Sequence, residues 1–468
     1  MKNLPVPMDT VIDIAEAVRS GQRKAKDIVE ECFKQIKKKN KEINAFIFLN
    51  EKEAYRIADK IDKRVEKGED PGPLAGVPFG VKDLNHCSGM PSTYGSYFYK
   101  DAPPSKNDDL FIARLRTHGA IPVGMVAASE FGLDSATHTT LWGVTRNPWN
   151  LNKTPGGSSG GSSAAVSAGM VPFCTGGDAA GSIRSPAAFT GLVGLKPSTG
   201  RIPSESGFDD LDCNGVITST VADTARLLDI MAGPDPRDRR TLPKPNIRYE
   251  DAIENLDVKG LRAVWSADYG YASVEDEVAE IAGAAADKLI SAAGLIRLDT
   301  GFNPPNITRH WMKTIVHKIK IGFHLMGVLP DNMDKLSPNI QFLLDRETDI
   351  SDEDIYTANK VFQTIEAPVA ELFRETDILL SPTTACRAYD ADATMLTTIN
   401  GNEAPAEPFG LVANACWNPS ISVPAGLTSD GLPVGLMITA RRHQDEIPLR
   451  LARILEQISP WPRTAPGY

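Results

Sequence analysis

The chain of 468 residues lacks the features that mark membrane, secreted and nucleic-acid-binding proteins. No run approaches the ~18 consecutive apolar residues that suggest a membrane-spanning helix, and the first residues contain no apolar core of a signal peptide. The formal net charge is −10, whereas non-specific nucleic-acid binding needs a basic face. These absences favour a globular, cytoplasmic protein that binds neither a membrane nor nucleic acid.

Cysteine and histidine are both scarce. The six cysteines are scattered and include no C-x-x-C pair, so we expect reduced, mostly buried thiols rather than a disulfide framework. The seven histidines lie in no motif typical of catalysis, and no cluster with metal-ligand spacing is visible. We therefore expect no metal ion and no organic cofactor, and a catalytic nucleophile would need a base other than histidine.

Helical and strand-like segments follow one another along most of the chain. Behind Thr10, a candidate N-cap, apolar residues recur at helical spacing, and two further segments repeat that pattern before a proline- and glycine-rich break near residue 70. Beyond the break, short apolar strands alternate with helices, which predicts an α/β fold with a largely parallel or mixed sheet. We expect an N-terminal helical segment over 1–70, packed on a single α/β domain over 71–468.

The stretch TPGGSSGGSSAAVSAG, residues 154–169, raises three alternatives: a flexible linker, a phosphate-binding loop or part of a catalytic site. A P-loop requires a lysine where Ser162 stands, and the dinucleotide pattern G-x-G-x-x-G is absent. Residues 157–161 match the G-x-S-x-G nucleophile elbow, but coil precedes them and only His443 could supply the histidine. The small residues that follow are typical of a helix packed on a sheet, which disfavours a linker.

Two other stretches contain candidate catalytic groups. Lys82 ends the apolar strand of AGVPFGVKD, where burial would lower its pKa and let it act as a base. A salt bridge to an acidic residue is the structural alternative for this lysine. The turn TGGDAAGS places a serine between a strand and a helix, and successive backbone N–H groups in such a turn can bind an oxyanion. The candidate donors are those of Ala179, Ala180, Gly181 and Ser182.

Residues 156–201, GGSSGGSSAAVSAGMVPFCTGGDAAGSIRSPAAFTGLVGLKPSTGR, closely resemble the signature of the amidase signature family. The resemblance extends upstream through LAGVPFGVKD and GVTRNPWN, and downstream to NPSISVPAGLTSDGLPVGLMITARR, so it covers nearly the whole chain. It implies the amidase signature fold, in which helices cover both faces of a large, mixed central sheet. It also implies hydrolysis of amide C–N bonds without a cofactor.

The same resemblance implies a Ser–cisSer–Lys triad. By position, Lys82 would be the base, Ser158 the bridging serine after a cis peptide bond, and Ser182 the nucleophile that forms an acyl-enzyme. The family's usual TDTGGS reads GDAAGS here, which keeps the backbone donors and alters the outer wall of the oxyanion hole. Three residues would support the site rather than perform chemistry: Gly157, Asp178 and Arg184.

Members of the family differ in substrate. This sequence resembles most the aryl acylamidases, nylon-oligomer hydrolases and urethane-cleaving members, so we expect a small uncharged aryl or alkyl amide, with esters and carbamates as further candidates. The alternative is the glutaminase-type subunit of a tRNA-dependent amidotransferase, which works with partner subunits; a homodimer stays open. We expect the pocket walls to come from 125–140, 303–345 and 384–402, with five lining residues: Phe131, His138, Trp142, Met326 and Met395.

Overall fold

A computed structural model describes residues 9–205, 210–346, 350–393 and 396–468. In chain order, its strands are β1 (Phe46–Leu49), β2 (Pro78–Lys82), β3 (Ile121–Val126), β4 (His138–Thr139), β5 (Gly143–Val144), β6 (Phe173–Asp178), β7 (Val193–Lys196), β8 (Cys213–Thr218), β9 (Arg262–Trp265), β10 (Ile296–Leu298), β11 (Ile378–Pro382), β12 (Leu396–Ile399), β13 (Asn402–Pro405), β14 (Ser420–Leu427) and β15 (Pro433–Ala440).

The α-helices are α1 (Val11–Arg19), α2 (Ala25–Ile43), α3 (Glu51–Glu66), α4 (Leu110–Thr117), α5 (Gly160–Ser167), α6 (Arg184–Thr190), α7 (Val221–Met231), α8 (Tyr249–Asn255), α9 (Asp276–Ala293), α10 (Thr308–Leu325), α11 (Pro338–Arg346), α12 (Asp352–Gln363), α13 (Glu366–Glu375), α14 (Gly410–Ala415) and α15 (Glu446–Ile458). Within the described part of the chain, none of these helices is both long enough and apolar enough to cross a membrane.

Eleven strands form one sheet in the order β1-β3-β2-β6-β8-β7-β14-β15-β11-β9-β10. The sheet is mixed. Strand β2 runs parallel to both β3 and β6. From β6 onward, through β8, β7, β14 and β15, each strand is antiparallel to the next one in the sheet order. Most of its central strands are buried over their whole length because helices flank the sheet; β15, for example, is packed against α6, α9 and α15. This architecture confirms the expected mixed α/β fold.

The N-terminal segment contributes both helices and an edge strand. Thr10 caps α1 through a capping box, in which its side chain accepts from the Asp13 N–H and Asp13 accepts from the Thr10 N–H. After α2, the short strand β1 pairs antiparallel with β3 at the edge of the main sheet. The segment therefore completes the sheet in addition to covering it.

The region 303–345, which was expected to form a pocket wall, contains α10 and all of α11 except its last residue, and these two helices share an apolar cluster of their own. In α10, Ile315, Ile319 and Phe323 recur at helical spacing on the buried face. Phe131 and Leu133, from the loop after β3, pack against this cluster. The region thereby lies over the ends of the strands that position the candidate site.

Candidate active site

Lys82 is the last residue of β2, and its side chain is almost completely buried. Its Nζ lies 2.8 Å from Ser158 Oγ and donates to the carbonyl oxygen of Gly177 at 3.1 Å. Burial lowers the pKa of Lys82 to about 8, while the negative charges of Asp212 and Asp178 act in the opposite direction. A substantial neutral fraction is therefore present near pH 8, and a neutral ε-amine can accept a proton.

The glycine- and serine-rich stretch is a buried loop that leads directly into α5. Ser158 follows a cis peptide bond from Gly157, and its carbonyl oxygen accepts from the Ser129 N–H at 3.2 Å. All of α5 is buried, as its small residues require for close packing on the sheet. This stretch is therefore not a linker.

The nucleophile-elbow alternative does not fit the structure. Ser159, the central serine of that pattern, is buried and directs its hydroxyl to the carbonyl oxygen of Gly177 at 3.4 Å. His443 does not line the active-site cavity, and its backbone N–H donates to Ser198 Oγ at 2.9 Å. These two residues therefore cannot supply the nucleophile and base of one catalytic site.

Gly157 lies where a side chain has no room. A Cβ on this residue would stand 2.3 Å from the Asp134 carbonyl oxygen and 2.8 Å from the Ser135 carbonyl carbon. Both neighbours are backbone atoms, which cannot move aside by a simple rotamer change. The close approach of these two chain segments explains why glycine precedes Ser158.

We expect Gly157→Ala to destabilise the protein by about 1–3 kcal/mol, because an added methyl group would overpack this contact. The backbone around residue 157 would have to move to make room for the methyl group. This movement should also displace Ser158 from Lys82 and lower kcat. Thermal denaturation and steady-state kinetics measure the two effects. The matched control is Gly283→Ala in α9, where the nearest atom to the new Cβ lies at an ordinary 3.5 Å. A Gly157→Ala protein that melts and reacts like the wild type would contradict this account.

Ser182 lies between β6 and α6 and lines the same cavity as Lys82 and Ser158. Its carbonyl oxygen accepts from the Ser159 N–H at 3.3 Å, which holds the two serine-containing loops together. The fold thus brings together three side chains that are separated by long stretches of sequence. All three predicted catalytic residues face one cavity.

The turn before Ser182 lines the cavity and contains the expected backbone donors. The Gly181 N–H donates to Asp178 Oδ1 at 2.8 Å, so this expected oxyanion donor is engaged within the loop. Within the described part of the chain, the N–H groups of Ala179, Ala180 and Ser182 make no hydrogen bond to protein, and all three residues line the cavity. The geometry therefore narrows the candidate donors from four to these three.

Asp178 and Arg184 form a salt bridge in which both side chains are completely buried, with Nη2 and Oδ1 2.8 Å apart. Arg184 also donates to the Gly410 carbonyl oxygen at 3.0 Å and to Asn414 Oδ1 at 2.6 Å. Burial alone would raise the pKa of Asp178, but the charge and hydrogen bonds of Arg184 hold it well below its ordinary value. The pair ties the turn before Ser182 to α14.

Replacing Arg184 with methionine should destabilise the protein by about 3–5 kcal/mol, because the Asp178 carboxylate would stay buried without its counter-charge. Chemical denaturation measures this loss. The control is Arg374→Met, which removes an arginine from an exposed ion pair with Glu371. Exposed pairs of this kind contribute about 0–1 kcal/mol. Equal effects of the two substitutions would contradict the structural role of Arg184.

The cavity that contains the three candidate catalytic residues has a volume of about 190 Å³. One wall of the cavity is apolar. It includes the expected residue Phe131 and four residues of the region 303–345. Its residues are Leu84, Phe131, Leu133, Trp311, Met312, Ile315 and Leu343. Four acidic side chains also reach the lining: Asp109, Asp134, Asp212 and Glu407. The arrangement suits a ligand with a substantial apolar part.

Two buried polar atoms in this lining have no hydrogen-bond partner among the described residues. They are Glu407 Oε1 and the indole nitrogen of Trp311. Burial raises the pKa of Glu407 well above its ordinary value. A carboxyl group and an indole N–H are each able to form a hydrogen bond with a bound ligand.

Two of the expected pocket residues do not reach the cavity. His138 and Trp142 belong to the β4–β5 hairpin, where Trp142 Nε1 donates to Thr93 Oγ1 at 2.9 Å. Asn44 holds the hairpin by donating to the carbonyl oxygens of Trp142 and Val144. The expectation for these two residues is wrong because the chain leaves the cavity wall after Ser135 and pairs with itself in a hairpin.

The remaining two expected pocket residues have different outcomes. Met326 follows α10, is 45% exposed, and lines an adjoining outer cavity instead of the one that contains Lys82. Met395 lies outside the described residues. Among the described residues of the expected loop 384–402, none lines the active-site cavity; Glu407, just beyond it, does.

Several residues of the site were not expected from the sequence. Asp212, the residue directly before β8, acts on Lys82 through its negative charge, and Glu407 reaches the cavity from the segment between β13 and α14. Asp212 had a sequence signal, since it stands directly before an apolar strand soon after the signature. Glu407 had none, because a single glutamate in a polar loop is ordinarily solvated.

Comparison with known proteins agrees with this geometry. The family profile described as Amidase matches residues 27–449. An acylamidase of Rhodococcus erythropolis is 33% identical over 97% of this chain and 96% of its own length. One of the subunits of the glutamyl-tRNA(Gln) amidotransferase of Geobacillus thermodenitrificans is 31% identical over 98% of each chain. The crystal structure of a bacterial aryl acylamidase of the amidase signature family superimposes with a TM-score of 0.91 at 28% identity, covering 98% of each chain. The chain therefore belongs to the amidase signature family and is a hydrolase of carbon–nitrogen bonds in linear amides.

Proposed function

We propose that this protein hydrolyses uncharged aryl or alkyl amides through a triad of Lys82, Ser158 and Ser182. The observation that carries the proposal is the 2.8 Å contact between Lys82 Nζ and Ser158 Oγ in a cavity that Ser182 also lines. A buried lysine with a lowered pKa, beside a serine hydroxyl, is the base that a serine nucleophile requires.

The proposed reaction begins when neutral Lys82 accepts the proton of Ser158, which in turn accepts the proton of Ser182. The Ser182 oxygen attacks the substrate carbonyl carbon, and the backbone N–H groups of Ala179, Ala180 and Ser182 bind the oxyanion. One such donor contributes roughly 10²–10³ in rate. Ser158 then returns a proton to the leaving nitrogen as the C–N bond breaks. Water hydrolyses the resulting ester of Ser182 and releases the acid.

The charges around the cavity argue against a substrate with a free carboxylate. Among the described lining residues, Lys82 is the one cation, and it must be neutral to act as the base. A free amino acid such as glutamine would therefore place its carboxylate in a site that offers four acidic side chains and no permanent counter-charge. Burying an unpaired carboxylate costs several kcal/mol. The apolar wall favours aryl or alkyl groups instead, in line with the acylamidase names of two similar proteins.

A second candidate function is that of an amidotransferase component. The observation in its favour is the full-length relative at 31% identity, close to the 33% of the acylamidase. Such a component would release ammonia from glutamine and would work with partner subunits. The cavity charges argue against this candidate.

A substrate panel separates the two candidates. The purified chain alone should hydrolyse 4-nitroacetanilide and related anilides, measured by release of the aniline, and should leave glutamine intact. 4-Nitrophenyl esters and carbamates, which release 4-nitrophenol, extend the panel to the other acyl derivatives expected from the sequence. Two results would overturn the proposal: hydrolysis of glutamine and of no other substrate in the panel, or hydrolysis of any substrate only after the other amidotransferase components are added.

A further inference from the structure

A second cavity, of about 1060 Å³, adjoins the active-site cavity of about 190 Å³. We refer to it as the outer cavity. The two share part of their lining: Leu84, Asp109, Phe131, Leu133 and Asp212. A substrate whose scissile amide lies at Ser182 can therefore extend past these residues into the larger space.

Helix α10 forms a wall of both cavities. Trp311, Met312 and Ile315 line the active-site cavity, whereas Ile319 and Gly322 line the outer one. Positions 311, 315, 319 and 322 are three or four residues apart and lie along one helix face. At ~1.5 Å per residue, this face follows the two cavities for about 16 Å. The same helix therefore guides both the inner and the outer part of a ligand.

Gly322 is an unusual residue in this wall. It lies inside α10, yet a Cβ on it would meet no atom of the described residues within 4 Å. Glycine weakens a helix interior relative to alanine, and no contact with a described residue requires glycine at this position. Gly322 lines the outer cavity, so a larger side chain here would project into that cavity.

Aromatic rings line the passage from the shared residues outward. Phe131 contacts Phe323 with ring centroids 5.2 Å apart, and Tyr99 with centroids 6.1 Å apart. Tyr99 in turn contacts Tyr94 at 5.2 Å. Rings in such a series offer edges and faces to which a further aromatic group can pack. The outer cavity is thus suited to an aryl group.

We propose that Gly322 is a specificity-determining residue that keeps the outer cavity open for the aryl end of an elongated amide substrate. The substrate class is an uncharged amide in which an aryl group is joined to the scissile bond by a spacer that passes Phe131. This inference rests on the proposed amidase function and deepens it by assigning a place for the distal part of the substrate.

The test compares short and elongated substrates in Gly322→Phe and Gly322→Leu. One series carries the aryl group on the acyl side, as in 4-nitroanilides of acetic and 5-phenylpentanoic acid. The other carries it on the amine side, as in acetamides of aniline and 4-(3-phenylpropyl)aniline. The control is Ile321→Phe, which adds a ring on the neighbouring, 49% exposed residue outside both cavity linings.

In at least one series, Gly322→Phe should lower the elongated-to-short ratio of kcat/KM at least tenfold, and Gly322→Leu should lower it less. Ile321→Phe should leave the ratio at its wild-type value. Gly322→Ala should raise the melting temperature. An unchanged ratio in both series for Gly322→Phe and Gly322→Leu, or an equal change in Ile321→Phe, would overturn the inference. A wild-type protein that hydrolyses no amide would instead refute the proposed function.

Discussion

Replacing Ser182 with alanine is expected to lower kcat for amide hydrolysis by roughly 10⁴- to 10⁶-fold, the loss seen when a serine nucleophile is removed. The residual rate would come from substrate binding and from the backbone donors of Ala179 and Ala180. The fold should survive, because the substitution removes one hydroxyl from the wall of a cavity and leaves the hydrogen bond of the Ser182 carbonyl oxygen in place. Circular dichroism and steady-state kinetics on a 4-nitroanilide measure the two properties together.

The control for this substitution is Ser167→Ala at the end of α5. Ser167 is buried, does not line the active-site cavity, and donates to the Thr190 carbonyl oxygen at 3.0 Å. Its loss should cost about 1 kcal/mol of stability and leave kcat near the wild-type value. Substantial amide hydrolysis by Ser182→Ala would refute its role as the nucleophile.

The second large effect concerns Lys82. We expect Lys82→Met to lower kcat/KM by roughly 10²- to 10⁴-fold, the usual contribution of a general base. In the wild type, kcat/KM should fall as the pH decreases below about 8, because the pKa of Lys82 is about 8 and its protonated form cannot accept a proton from Ser158. Above that pH the rate should reach a plateau. The residual activity of Lys82→Met should lack this acid-side decrease.

Lys39 provides a matched control because burial also lowers its pKa to about 8. Lys39 belongs to α2, and its side chain reaches the C-terminal end of α5, away from Ser158. There its Nζ donates to the Ala168 carbonyl oxygen at 2.7 Å. Lys39→Met should therefore keep the wild-type pH profile. An acid-side decrease that persists in Lys82→Met, or disappears in Lys39→Met, would assign the titration to a group other than Lys82.

The parts of the site that were predictable from sequence depend on backbone conformation. Gly157 permits a close approach of two chain segments, and the turn from Asp178 to Ser182 lines the cavity; both leave a local pattern of small residues. Lys82 was identifiable because a lysine that ends an apolar strand is rarely solvated. The α/β fold was predictable for a similar reason, because the spacing of apolar residues along the sequence distinguishes the strands from the helices.

The parts that were not predictable depend on long-range packing. Glu407 reaches the cavity from a segment that carries no motif, and its place follows from where the chain before α14 lies in the fold. The region 303–345 was expected to form a wall, but the sequence did not indicate that Trp311 is one of the residues that reach the cavity. Conversely, His138 and Trp142 are plausible pocket residues by type, but the hairpin of β4 and β5 takes them away from the cavity. The side-chain type alone does not indicate the direction in which a loop turns.

We infer that Ser182 forms a covalent acyl intermediate after activation through Ser158 and Lys82. Mass spectrometry of the protein after reaction with a 4-nitrophenyl carbamate tests it directly, because the carbamoyl group passes to the nucleophile, 4-nitrophenol leaves, and carbamoyl esters hydrolyse slowly. We expect one carbamoyl group per chain, located on Ser182 itself by fragmentation of the labelled peptide, and much slower labelling of Lys82→Met. A label on Ser158 or on another residue, with Ser182 unmodified, would contradict it.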